Sequence, residues 1–384
     1  MSGLSPHYRA IVVFLLCLVA MRSSLSAEPA PQERDPAKAI ADINAHGGNV
    51  TVTTPGKWDV WMGGPKLKES DLQYLRGCIE IDILSLESAV VSDAALENLK
   101  GLARLKTLAL CNSNKITDAG LAHLSRLTSL ERLLIGGPGV TDAGLVHLEG
   151  LTRLRCLELR FTNVSDAGLR RLVGMNRLEV LLLNDAPVTD AGLIHLQGMA
   201  NLEILGLDGT QVTGTGLSRL KGLRRLQSLS LSGSKVTDAG LEPVQAFRDL
   251  QELFLDDTGI SDAGLAHLAR LTQLKMLSLE RTRVRGPGLV HLQSLDKLEC
   301  LMLYESPVTD AGLVYLTKLP QLEHLDLGRT AVTDLGLLHL QKIPRLHFVS
   351  LLGPGLTEGG VASFKKARPD VRINTEEREQ WFRR

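Results

Sequence analysis

The sequence predicts an α/β solenoid: a curved horseshoe of about thirteen strand–loop–helix units, with a parallel sheet on its concave face and helices on its convex face. Three observations carry this. The pattern L-x-x-L-x-L, with an occasional Ile or Val, begins at residues 81, 105, 130, 154, 178, 202, 226, 250, 274, 298, 322 and 346. The step is 24 residues, except for one of 25 between 105 and 130, where the extra residue falls in 111–115. Five residues after most copies comes V-[TS]-D-A-G-L, as at 140–145, 188–193 and 308–313. Finally, 75 of the 384 residues are leucine and only 4% are aromatic, a composition suited to many similar layers.

Within a unit, Leu157 and Leu159 share one strand face while Cys156 and Glu158 point the other way. The Thr or Ser that follows is placed to accept from free amides at a helix start, and the next Asp complements the helix dipole. Apolar residues then recur at i, i+3 and i+6, as in Leu121, Leu124 and Leu127. Neither element buries its leucines alone; stacking does so. Strands lie roughly 4.8 Å apart and helices about 8–10 Å apart, so the stack bends with the sheet inside. Projected backward, the period gives a degenerate unit at 57, with Val60, Met62, Leu67, Leu72 and Leu75 in register, so the array covers 57–368.

Two units break the helix-start rule: 212–217 (VTGTGL) lacks the Asp, and 284–289 (VRGPGL) lacks both Thr and Asp. Pro243 interrupts a third helix. These departures read as drift, with locally looser convex sides, since a surface cap is worth only ~1 kcal/mol.

The chain opens like an export signal. Arg9 is followed by an apolar run at 10–21 and small residues at 23–27. Twelve apolar residues are too few for a membrane-spanning helix, which needs about 20. The expectation is a signal peptide at 1–27, no stable transmembrane anchor after cleavage, and a periplasmic, cell-surface or extracellular protein, monomeric in solution. Residues 28–37 read as a linker. An N-terminal cap at 38–56 comprises a helix at 39–46, stopped by Gly47–Gly48, and a strand at 49–54. At 369–384 a C-terminal cap and charged tail offers Trp381 and Phe382 to cover the last core layer.

These repeats resemble leucine-rich-repeat proteins, specifically the 24- to 26-residue cysteine-containing, F-box-like and ribonuclease-inhibitor-like type also found in exported bacterial proteins. The resemblance covers about four fifths of the chain. It implies a horseshoe that binds macromolecules on its concave face, and it brings no catalytic residue. That family often has Cys or Asn after the strand. Here Thr162, Thr210, Thr258, Thr282 and Thr330 stand there, with hydroxyls able to satisfy loop backbone groups.

Enzymatic chemistry finds little footing. His123, His147, His195, His267, His291 and His339 all occupy G-L-x-H-L, on neighbouring helices too far apart to share an ion about 2 Å away. Arg171, Arg219, Pro243 and Tyr315 fill the same place elsewhere, as expected of a half-exposed amphipathic position. Cys78, Cys111, Cys156 and Cys300 are expected to be free thiols, with no pair within disulfide reach. The usual phosphate-binding, zinc and serine-hydrolase signatures are missing, so no cofactor, metal or catalytic group is expected. The 43 basic and 43 acidic residues argue against a nucleic-acid partner.

The informative surface is therefore the concave one. Glu158, Arg160 and Phe161 flank the strand leucines in one unit. Asp208, Phe254, Asp256, Asp257, Met276, Glu280, Arg281, Met302, Tyr304, Glu305, Asp326 and Arg329 follow in later units. Asp256 and Glu280 fall on adjacent strands, an unfavourable like-charge pair unless Arg281, Arg329 or a basic ligand compensates. Phe254, Met276, Met302 and Tyr304 form an apolar strip beside them, a candidate anchor for a partner. The expected function is non-enzymatic, exported protein–protein interaction with a protein or peptide, favouring a basic one. A cell-wall polysaccharide binder and a ubiquitin-ligase-like substrate-recognition subunit are the alternatives.

Overall fold

The computed structural model describes residues 35–54, 56–64, 67–87, 91–110 and 114–376. The expected signal segment, residues 28–34 of the linker, Cys111, and Trp381 and Phe382 lie outside them. Among the described residues fifteen strands form one sheet in strict sequence order. They are β1 (Gly48–Thr54), β2 (Lys57–Gly63), β3 (Ile81–Glu87), β4 (Thr107–Leu110), β5 (Arg132–Gly136), β6 (Cys156–Arg160), β7 (Val180–Leu182) and β8 (Ile204–Gly206). Then come β9 (Ser228–Ser230), β10 (Glu252–Phe254), β11 (Met276–Ser278), β12 (Cys300–Met302), β13 (His324–Asp326), β14 (Phe348–Ser350) and β15 (Arg372–Asn374). This is the α/β leucine-rich solenoid that the period implies.

Register follows the sequence repeat. Leu253 pairs with Leu277 and Leu277 with Leu301, while Leu108 pairs with Leu133 across the single longer step. Only β1 runs antiparallel, as a hairpin partner of β2. At the other end β15 adds a parallel rung, with Ile373 opposite Val349, one strand beyond the expected end of the array. Behind the sheet the leucines merge into one core reaching from Ala39 to Val371. Each buried leucine contributes about 2 kcal/mol, which makes this interior the dominant stabilising term.

The N-terminal helix spans Pro36–Ala45, starting inside the stretch assigned to the linker; the Asp35 carboxylate accepts from Ala37 N–H. The helices of the repeats are shorter than expected. Most are 3₁₀ segments such as Gly144–Leu148 and Gly192–Leu196, and the α-helical ones, such as Asp118–Leu124, reach about two turns. The i, i+3 leucine spacing explains this, because three residues per turn put both leucines on the core side. Pro243 interrupts nothing: the 3₁₀ segment Ala239–Ala246 runs through it.

The Asp of the D-A-G motif does more than face a dipole. Asp166 accepts from Thr189 N–H at 2.8 Å and from its hydroxyl at 2.6 Å, across to the next unit. The same hydroxyl accepts from Ala191 N–H at 3.2 Å, so one threonine caps its own helix and ties it to the previous one. Asp93–Thr117, Asp118–Thr141, Asp142–Ser165, Asp238–Ser261, Asp310–Thr333 and Asp334–Thr357 repeat the bond. The glycine of the motif is required by the same contact, since a Cβ on Gly168 would overlap the Asp142 carboxylate.

The two irregular units are not loose. Gly214, at φ +99°, and Gly286, at φ +125°, replace the missing Asp and bring backbones together. Thr237 N–H then donates to the Thr213 carbonyl at 3.3 Å, and Thr309 N–H to the Arg285 carbonyl at 3.1 Å. On their other side, Asp190 gathers the N–H groups of Thr213, Gly214 and Gly216 as well as the Thr213 hydroxyl. Burial pushes the Asp190 carboxyl up, but these four donors together hold it below the ordinary carboxylate value. Backbone contact has replaced side-chain stapling.

Candidate functional site on the sheet face

Eight successive strands, β6 to β13, turn into their loops through a residue of left-handed backbone. Phe161, Asp185, Gly209, Gly233, Asp257, Arg281, Glu305 and Arg329 form one column, 24 residues apart, with φ between 51° and 67°. The strain costs a non-glycine residue roughly 1–2 kcal/mol. It is held because each N–H still reaches the next unit: Asp257 donates to the Glu280 carbonyl at 2.9 Å and Arg281 to that of Tyr304 at 2.8 Å. The hydroxyl that follows closes the turn, Thr210 onto the Leu207 carbonyl at 2.7 Å and Thr258 onto that of Leu255 at 2.5 Å. This is the service expected of those threonines.

The column sorts the candidate residues. Phe161, Asp257, Arg281, Glu305 and Arg329 lie in it, at the rim of the sheet, with Phe161 53% exposed. Arg160, Asp208, Asp256, Glu280 and Tyr304 precede it by one residue. Phe254, Met302 and Asp326 end strands β10, β12 and β13, and Met276 begins β11, two register positions earlier on the same face. Gly209 and Gly233 were the sequence signal for this column, visible only when the units are aligned.

The expected apolar anchor is corrected by burial. Phe254 is 7% and Tyr304 9% exposed, while Met276 and Met302 are half-buried. In register Phe254 falls between Ser230 and Ser278, both small side chains. Tyr304 lies against Gly328, where an added Cβ would meet its ring at 2.7 Å. Besides Phe161 on the rim, this face has exposed apolar residues in its first units: Trp61, 40% exposed, and Ile83, 39%. Trp61 falls between core residues Val60 and Met62 of the degenerate first unit, where strand alternation alone turns it outward.

The acids are sunk between strands. Asp208, Asp256, Glu280 and Asp326 are all under a tenth exposed. Asp208 accepts from Ser230, from Asn184 and from Ser232 N–H at 3.0 Å. Asp256 accepts from Ser278, from Glu280 N–H at 2.9 Å and from the Ser232 hydroxyl at 3.4 Å. Asp326 accepts from Gly328 N–H at 2.8 Å. Burial raises Asp208 to about 6; burial, with the neighbouring Glu280 charge, raises Asp256 to about 7. Burial likewise lifts Glu158, which pairs with Arg160, and Glu252.

Compensation is partial. Arg281 forks onto Asp257 at 2.5 and 2.6 Å and lies 3.8 Å from Glu280, and the Asp257 bond raises its pKa further. Arg329 pairs with Glu305 at 2.9 Å, so the balancing role expected of it toward Asp256 and Glu280 is not the one it plays. Arg281 thus pairs with Asp257 and lies beside Glu280. At the strand starts Arg225, Gln227, Asp249, Gln251 and Gln273 line an open depression of about 310 Å³ that no sequence feature marked. Among the described residues, Cys78, Cys156 and Cys300 are free and buried, and burial pushes the Cys156 and Cys300 thiols up to about 12. Among those residues no helix is long and apolar enough to cross a membrane.

Comparison with known proteins agrees with this architecture. The family model described as FBD-associated F-box protein At5g56370, LRR repeats, matches residues 194–368. A leucine-rich-repeat protein of Leptospira interrogans shares 15% identity and a TM-score of 0.55, over 91% of this chain and 100% of that one. A chain of the mouse RP105/MD-1 complex shares 18% identity and a TM-score of 0.61, over 83% of this chain and 58% of that one. A comparison with curated proteins gives no match. The chain has the fold of a leucine-rich-repeat solenoid.

Proposed function

We propose that this leucine-rich-repeat protein is an exported, non-enzymatic scaffold whose concave sheet face, over the units from 202 to 346, binds a protein or extended peptide rich in basic residues. The observation that carries the reading is the excess of acid there: Asp256, Asp257 and Glu280 surround the single Arg281. Two adjacent buried carboxyls add nothing to the stability of a solenoid, and a lysine or arginine laid across the ends of β10 and β11 would add its positive charge to that of Arg281. Arg160, Phe161, Asp208, Glu305, Asp326 and Arg329 extend the same surface. Phe254, Met276, Met302 and Tyr304 form its floor. Export rests on Arg9 and the apolar run at 10–21. The similar mouse chain was itself solved in the RP105/MD-1 complex, in keeping with a solenoid that holds a protein partner.

The test is affinity capture from the native envelope or medium, with the wild type beside Asp256→Asn/Glu280→Gln, which keeps shape and removes charge. The reading expects basic proteins or peptides to be retained by the wild type and lost from the variant. Equal capture by both would overturn it.

A further inference from the structure

A formal charge of zero hides local imbalance. Along part of the array the exposed helix positions carry more cations than acids, although Asp142, Asp166 and Asp190 stand at the helix starts of the same stretch. Equivalent positions of four successive units show this best. Positions 146, 170, 194 and 218 are Val, Arg, Ile and Ser; 147, 171, 195 and 219 are His, Arg, His and Arg; 149, 173, 197 and 221 are Glu, Val, Gln and Lys. These side chains stand on the short helices Gly144–Leu148, Arg170–Leu172, Gly192–Leu196 and Thr215–Leu220, or just beyond their ends.

Two features of this patch serve no purpose in the fold. Val146, Val173 and Ile194 are 43%, 51% and 39% exposed, yet Ser218 and Glu242 occupy the place of Val146 and Ile194 in later units. The position does not need an aliphatic residue. Arg170, Arg219 and Lys221 are exposed and make no ion pair with any described residue. Arg171 pairs with Glu149 at 3.1 Å, both about half exposed, so that pair is weak and readily exchanged.

Aliphatic tips interspersed with long cationic side chains match a surface that is apolar below and anionic above. The Arg and Lys stems cover the apolar surface while their heads stay among phosphates. A soluble polyanion would use the cations and leave the aliphatic residues idle. We propose that the helical side of these four units docks peripherally on an anionic lipid bilayer, with Val146, Val173 and Ile194 entering the headgroup layer and Arg170, Arg171, Arg219 and Lys221 meeting lipid phosphates. The sheet face then points away from the membrane and stays open, although the docking does not depend on what that face binds.

The experiment is co-sedimentation of the full chain with phosphatidylcholine vesicles, with or without about a third phosphatidylglycerol, in low and high salt. Two variants accompany it: Arg170→Glu/Arg171→Glu/Arg219→Glu/Lys221→Glu, and Val173→Ser/Ile194→Ser, each checked for folding by circular dichroism. The expected result is partitioning at least tenfold stronger into anionic vesicles, lost in high salt and in the charge-reversal variant. Surface cations are worth about fivefold each in such binding. The serine variant should bind several-fold more weakly while keeping the salt dependence. Equal binding to neutral vesicles, or charge reversal without effect, overturns the proposal and assigns any binding to the apolar segment at 10–21. A serine variant that binds like the wild type, with dextran sulfate as an effective competitor, also overturns it, in favour of a soluble polyanion.

Discussion

The carboxylate of Asp190 accepts the Thr213 backbone N–H at 3.0 Å and its hydroxyl at 2.5 Å, joining a regular repeat to one whose own helix start departs from the common pattern. Stacking leucines sets the architecture, but such carboxylates set the phase of one unit against the next. Asp166 makes two of these bonds and Asp190 four. Asp166→Ala should destabilise by about 2 kcal/mol, a charge-assisted bond and an orphaned donor being worth that much, and Asp190→Ala by more. Urea denaturation of the two variants gives the order directly.

Gly168 and Gly150 make a matched pair. A methyl on Gly168 would strike the Asp142 carboxylate, whereas Gly150 has open space around its Cα. Gly168→Ala should cost about 1–3 kcal/mol through overpacking. Gly150→Ala should be neutral or stabilise by about 0.5 kcal/mol. Thermal denaturation of the two separates a steric role from general glycine flexibility.

Acidification should act on stability in two stages. Asp208 and Asp256 titrate in the folded chain near 6 and 7, above their unfolded value of 3.8. Their contribution is complete below about pH 4 and is lost as pH rises through 6 and 7, so lowering the pH from about 8 to 5 raises stability. Asp190 is depressed, so its contribution is present above 3.8 and is lost as pH falls below that value. Melting temperature against pH should therefore rise and then fall on acidification. In Asp256→Asn the rise between about pH 8 and 5 should shrink while the acid limb stays.

Partner binding should move the other way. Protonating Asp208 and Asp256 removes the negative charge that a basic ligand would meet, so affinity should fall between about pH 8 and 5, where stability improves. Calorimetric titration with the captured partner, or a peptide from it, tests this; an affinity that rises on acidification would contradict the acidic-site reading.

Cys156 and Cys300 should be inert in the native state. Both are buried, with thiols raised to about 12. Thiol titration should find them unreactive at neutral pH on a timescale where denatured chain reacts at once.

The period made the architecture legible because leucine placement and strand register are the same fact: residues 24 apart, such as Leu253 and Leu277, are neighbours. Side-chain placement on the open face was less legible. Phe254 and Tyr304 are alternating strand or rim residues that pattern alone turns outward, yet their cover depends on Ser230, Ser278 and Gly328 in other units. The left-handed column was masked by Phe161, Arg281 and Arg329, bulky residues that seldom advertise positive φ. The irregular units misled for a related reason. Gly214 and Gly286 look like lost aspartates, and only the next unit shows that a backbone bond has taken their place.

The central claim, that the sheet face holds the partner, is met most directly by site-specific photo-crosslinking. A photoreactive residue is placed at Arg329, on the exposed rim of the sheet, and separately at Val314, 42% exposed on the helical side. In the presence of the captured partner the account predicts a crosslink from position 329 and none from 314. A crosslink from 314 with none from 329 would contradict it.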